Sequence, residues 1–206
     1  MNKFTRQRRM PPIAAAAIVA AVCLSDGAAQ TAASGSGAFT DKRDGRTYET
    51  MKAGAKTWMA ENINIETGNS WCYDGDSSNC NAYGRLYDWE AAKTACPPGW
   101  RLPTLKEWSL FVKAVSDKDA AERRARAASG LYEDGGERRL PVILGGGRYR
   151  VGGEYSNIGG YSYWWAAAEK SNQYAAYYRY VNYGNENVAD SFDIREYGFS
   201  VRCLMN

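Results

Sequence analysis

Cys96-Pro97-Pro98-Gly99-Trp100-Arg101-Leu102-Pro103-Thr104-Leu105-Lys106-Glu107 ends one helix and starts another. Asp88 is placed to cap a helix over Trp89–Cys96, and Pro97-Pro98 stops it, since proline lacks the N–H that a helix needs. Thr104 and Glu107 then form a capping box, N-cap hydroxyl and N3 carboxylate, and predict a helix through about Val115. Trp108, Phe111, Val112 and Val115 recur at three-to-four spacing, so one face of that helix packs inward. Asp119–Ala128 reads as a surface extension of it, and its Arg123-Arg124-Ala125-Arg126 cluster, with Asp117, Asp119 and Glu122 nearby, as a solvated face.

From Leu140 onward glycine and tyrosine dominate. Leu144–Arg150, Tyr161–Ala167, Tyr174–Tyr183 and Gly198–Leu204 read as strands. Upstream, Asp44-Gly45 predicts a hairpin within residues 41–50, and Thr57-Trp58-Met59 a short strand. Early helices followed by a late antiparallel meander predict a single α+β domain over residues 41–206.

Residues 1–12 carry Lys3, Arg6, Arg8 and Arg9, and Ile13–Leu24 is an uncharged, alanine-rich run. About 20 apolar residues are needed to cross a membrane, so the run is too short for that. With small residues at Gly27-Ala28-Ala29 it reads as a signal peptide over 1–29, cleaved near Ala29. Cys23 offers a lipid-anchored start, but Val22 stands where lipoprotein signals prefer a very small residue. Residues 30–40 read as a flexible linker. Without residues 1–29 the chain has 22 Lys+Arg against 22 Asp+Glu. Nucleic-acid binding thereby loses its electrostatic argument. No transmembrane span is expected in the mature chain, and the protein is expected outside the cell or on its outer surface.

An even number of cysteines in an exported chain points to disulfides. Cys72, Cys80, Cys96 and Cys203 allow three pairings. Cys72–Cys80 would close a short polar loop, and Cys96–Cys203 would then tie an early helix to the last strand. Zinc is a poor fit, because the chain has no histidine and no Cys-x-x-Cys pair. Asp74, Asp76 and Ser78 alternate as at the start of a calcium loop, but Asn79 and Arg85 stand where glycine and glutamate are required.

Several phrases occur in order: Asp44-Gly45-Arg46-Thr47-Tyr48, Thr57-Trp58-Met59-Ala60-Glu61-Asn62, Ser70-Trp71-Cys72-Tyr73, Tyr83-Gly84-Arg85-Leu86-Tyr87, Cys96–Thr104, Tyr163-Trp164-Trp165 and Gly198-Phe199-Ser200-Val201-Arg202-Cys203. Over residues 41–206 the chain thus resembles the Fibrobacter succinogenes major paralogous domain family of exported bacterial proteins. Arg101–Thr104 and Gly198–Cys203 also resemble the formylglycine-generating sulfatase-modifying family. That second resemblance implies a C-type-lectin-like fold and a bridge from a helix cysteine to the last strand, which Cys96–Cys203 would supply. It implies no activity here, because that family's pair of late reactive cysteines is missing. Without histidine, imidazole catalysis is also excluded. Scattered carboxylates such as Glu154, Glu169 and Glu186 show no spacing that marks an acid/base pair. No cofactor is required by any motif. A structural calcium is compatible with lectin-like folds, but the Glu-Pro-Asn and Gln-Pro-Asp sugar triplets are absent.

Residues 161–187 hold seven tyrosines, with Asn172, Asn182, Asn185 and Asn187 among them. Tyrosine offers a broad amphipathic ring at low entropy cost, and asparagine a donor and an acceptor together. Aromatic rings also stack on the apolar faces of sugars. Tyr178, Tyr180, Asn182, Tyr183, Asn185 and Asn187 are therefore the candidate ligand-binding residues. The expected function is non-catalytic recognition, either adhesion or the binding of an extracellular glycan or protein ligand. A retroelement-diversified display protein or a structural envelope protein would use the same scaffold. Tyr178, Tyr180 and Asn182 share one strand face and Tyr177, Arg179, Val181 and Tyr183 the other, and alternation alone leaves open which is wet.

Overall fold

The computed structural model describes residues 36–128, 143–149, 152–171, 174–182 and 185–206. The leader over 1–29, Cys23, the first part of the linker and Tyr183 lie outside the described residues. Among the described residues no helix is long and apolar enough to cross a membrane.

The architecture is α+β, with two sheets and two disulfides. The first sheet is antiparallel, in the order β1 (Ser36–Thr40), β2 (Thr47–Ala53), β3 (Lys56–Met59), β13 (Leu204–Met205), β6 (Trp100–Arg101). The expected hairpin exists, with Asp44-Gly45 in its turn and Gly45 at φ 77. Its first arm corrects the linker assignment. Residues 36–40 pair with β2 from Ser36↔Met51 to Thr40↔Thr47, and Phe39 packs on Trp100 at 5.1 Å. Polar small residues hid the strand, because pairing and one aromatic anchor make it rather than composition.

The second sheet runs β11 (Asn185–Ile194), β10 (Ala175–Asn182), β9 (Tyr161–Glu169), β12 (Phe199–Ser200), β5 (Leu86–Tyr87), β4 (Ser70–Trp71). A side hairpin of β7 (Gly145–Arg148) and β8 (Tyr155–Ile158) joins it, with Gly146 parallel to Ser162 of β9. The late meander is β9, β10 and β11.

Among the described residues three α-helices pack on this frame. In α1 (Ser77–Tyr83) Asp76 is the N-cap and accepts from the Ser78 N–H at 2.8 Å. The alternating oxygens of residues 74–78 thus include a helix cap. The Asp88 carboxylate caps α2 (Trp89–Ala95), accepting from the Ala91 N–H at 2.8 Å. The prolines end α2 one residue earlier than expected, so Cys96 is extended rather than helical. The expected helix and its extension form one element, α3 (Leu105–Ala128). Its capping box closes reciprocally. Thr104 Oγ1 accepts from the Glu107 N–H at 3.2 Å, and a Glu107 oxygen accepts from the Thr104 N–H at 2.9 Å.

β9 is buried on both faces, and alternation sends its residues into two cores. Tyr163 and Trp165 join Tyr87, Trp89, Tyr178, Phe199 and Val201 in one. Trp164 and Ala166 join Trp58, Trp108, Phe111 and Val181 under α3 in the other. The disulfides are Cys72–Cys80 and Cys96–Cys203. Cys203 lies between β12 and β13, where the chain passes from one sheet to the other. The second bridge therefore fastens the end of α2 to the seam between the sheets.

Candidate functional site

The tyrosines converge on one end of the second sheet, on the face of the first core. Tyr180 stands opposite Tyr163, and Tyr161 opposite Asn182, across β9 and β10. Tyr161 and Tyr163 stack at 5.9 Å with their planes 6° apart, and Tyr163 lies 6.4 Å from Tyr180. The β7–β8 hairpin brings in the rest. The Asn157 amide donates to the hydroxyls of Tyr163 at 3.0 Å and Tyr149 at 3.2 Å. Tyr149 in turn meets Tyr197 edge-on at 5.1 Å. The result is a ledge in which Tyr149, Tyr161, Tyr180, Asn182 and Tyr197 are half-buried and Asn157 is exposed.

Two local features hold the ledge. Asn157 sits at φ 70, a conformation that asparagine tolerates better than other side chains. It turns its amide onto both hydroxyls at once. Gly146 sits at φ 63, and a Cβ there would meet Ser156 O at 2.6 Å. Only glycine lets β7 approach β8 so closely. Burial pushes the Tyr163, Tyr178 and Tyr197 hydroxyls above the ordinary phenol range. The side-chain oxygen of Asn182 is buried with no hydrogen-bond partner among the described residues.

The candidate residues divide accordingly. Tyr180 and Asn182 belong to the ledge. Tyr178 does not: it is 9% exposed and packs on Phe199 at 4.7 Å, so it is a core residue. The even-numbered face of β10 is thus wet only at its far end, because Trp165 and Phe199 cover the rest. For Asn185 and Asn187 the backbone places both in β11, and Asn185 is paired with Asn182. The opposite face of β10 is largely covered. Arg179 is buried, donates to Leu105 O and Ser109 Oγ of α3, and ion-pairs with Asp190.

Tyr149, Asn157, Tyr161 and Tyr197 were not among the expected contacts. Tyr149 and Tyr197 are far apart in sequence and are brought together by pairing of Arg148 with Gly198. Asn157, two residues before Gly159-Gly160, carried a turn signal that alternation along β10 could not connect to the tyrosines.

Of the scattered carboxylates, Glu169 accepts from Trp89 Nε1 at 3.3 Å and pairs with Arg195 at 2.8 Å, and Glu154 stands exposed in the β7–β8 turn. Among the described residues no group of three His, Cys, Asp or Glu side chains is arranged to hold a metal ion. A second aromatic patch lies elsewhere on the sheet. Tyr177 opposes Phe192 at 5.9 Å, Phe192 is 46% exposed, and Lys170 lies over its ring.

A family model described as the Fibrobacter succinogenes major domain matches residues 51–205. No curated protein and no solved structure matches the chain.

Proposed function

The chain belongs to the Fibrobacter succinogenes major domain family, and we propose that it is an extracellular, non-catalytic recognition module of C-type-lectin-like fold that binds glycans on its tyrosine ledge. The observation that carries this reading is the Asn157 amide shared between the Tyr149 and Tyr163 hydroxyls, beside the stacked Tyr161 ring. Such an arrangement presents ring faces for the apolar C–H faces of a sugar. It also presents hydroxyls and amides for the sugar's own hydroxyls. The two disulfides support an oxidising compartment. The bridge from the end of α2 to the closing segment supports the lectin-like assignment.

A glycan array probed with the disulfide-bonded domain tests the proposal. Binding to a defined glycan class, weakened by Tyr161→Ala, is the expected result. An array without a hit at micromolar protein would remove the glycan reading.

A further inference from the structure

The closing segment carries polar side chains into the interior. Phe199, Val201 and Cys203 face the first core, so Ser200 and Arg202 face the other way. On β9 the same alternation puts Ser162 on the side of Trp164, and Ser200 is the parallel partner of Trp164. The Arg202 guanidinium lies over the Trp164 ring at 5.4 Å. Arg202 is 1% exposed, and Ser162 and Ser200 are wholly buried.

Among the described residues, Arg202 Nε, Arg202 Nη2, Ser162 Oγ and Ser200 Oγ have no hydrogen-bond partner. The ring beneath the guanidinium attracts its charge but cannot accept its N–H groups, which point outward in the guanidinium plane. Neighbouring acceptors are already engaged. Asn62 Oδ1 takes the Trp164 Nε1–H at 2.8 Å, and the Asn62 amide donates to Tyr83 O at 2.8 Å. Glu61 attracts Arg202 electrostatically but forms no ion pair with it among the described residues. The backbone on either side of Arg202 is held in place. Its flanking carbonyls accept from Ile63 and Met59, at 2.8 and 3.0 Å, and Cys203 is in a disulfide.

We propose that Arg202, Ser200 and Ser162 form a binding site for a small monovalent anion of halide size. A buried cation with unused donors is among the costliest arrangements in a protein interior, and an anion offsets both its charge and its unmet hydrogen bonds. The guanidinium supplies donors only, and both hydroxyls lie on the same side of the sheet as the guanidinium and can donate as well. A cation is repelled, and a divalent anion exceeds the single positive charge present. A cleft of about 300 Å³ is lined by Glu61, Asn62, Asn64 and Gly84, and Asn62 is the residue that accepts from the Trp164 indole.

The test uses the full disulfide-bonded chain. Its Tm is measured across chloride concentrations, with ionic strength held constant by gluconate. Above the dissociation constant, Tm should rise by about 3–5 °C per tenfold chloride. Ser200→Ala, a small change that preserves the fold, should move the response to about tenfold higher chloride. Crystals grown with bromide should give an anomalous peak within hydrogen-bonding distance of the Arg202 guanidinium. Water alone at that position, bromide at surface positions only, or a Tm indifferent to which anion is present would each overturn the proposal.

Discussion

Trp164 and Trp165 are consecutive, yet they anchor different cores. Trp164 lies 5.4 Å from Trp108 of α3, and Trp165 lies 5.6 Å from Trp89 of α2. Each indole N–H reaches across the chain to its own acceptor, Trp164 to Asn62 Oδ1 at 2.8 Å and Trp165 to Tyr87 O at 2.7 Å. Two helix layers are thereby joined through one peptide bond of β9. Trp164→Phe should destabilise the fold by about 2–3 kcal/mol, since it removes buried ring area and strands the Asn62 oxygen. Urea unfolding measures this.

The two disulfides should differ in weight. Cys72–Cys80 spans 8 residues and Cys96–Cys203 spans 107. Restriction of the unfolded chain is then worth about 2.5 kcal/mol for the first and about 4.8 kcal/mol for the second. Paired alanine substitutions, compared by chemical denaturation, should preserve that order.

The α3 capping box predicts a pH response. Arg101 hydrogen-bonds Glu107 at 2.6 and 2.8 Å and, with Thr104, holds its carboxyl down to about 2, against 4.5 for an unperturbed glutamate. A depressed carboxylate contributes stability that is fully present above 4.5 and lost as pH falls toward 2. Partial exposure of the pair limits the effect to about 1–2 kcal/mol. Glu107→Gln should lower stability by that amount at pH 7 and flatten the acid limb of the stability curve between these values.

Much of the frame was legible because its causes are local. The capping box needs only Thr104 and Glu107, and Asp88 and Pro97 bracket α2 by backbone chemistry. Chain order among the cysteines, and the resemblance, anticipated the bridges. β1, β8 and β11 were missed for one shared reason. Ser36–Thr40, Tyr155–Ile158 and Asn185–Ile194 lack strong alternation, and their partners make them strands. Half of the ledge was hidden likewise. Tyr180 and Asn182 lie on a strand that could be read by its period, whereas Tyr149, Asn157 and Tyr197 arrive through the β7–β8 hairpin and the Arg148–Gly198 bridge.

That hairpin should be sensitive at one glycine and tolerant at one asparagine. Gly146→Ala places a Cβ 2.6 Å from Ser156 O at positive φ, so it should destabilise by about 2–4 kcal/mol. Asn157→Gly relieves the φ 70 conformation and should keep the fold within about 1 kcal/mol of wild type. It also releases both tyrosine hydroxyls, so it should weaken ligand binding while thermal stability stays nearly constant. Differential scanning calorimetry beside a binding assay separates the two effects.

Isothermal titration of the strongest glycan hit into three proteins, wild type, Tyr161→Ala and Tyr177→Ala, probes the ledge itself. Tyr161 stacks in the ledge, and Tyr177 belongs to the separate patch with Phe192. The account predicts at least a tenfold loss of affinity for Tyr161→Ala, about 1.4 kcal/mol, with Tyr177→Ala matching wild type. Loss in Tyr177→Ala with Tyr161→Ala unaffected would contradict it and move recognition to the opposite face of β10.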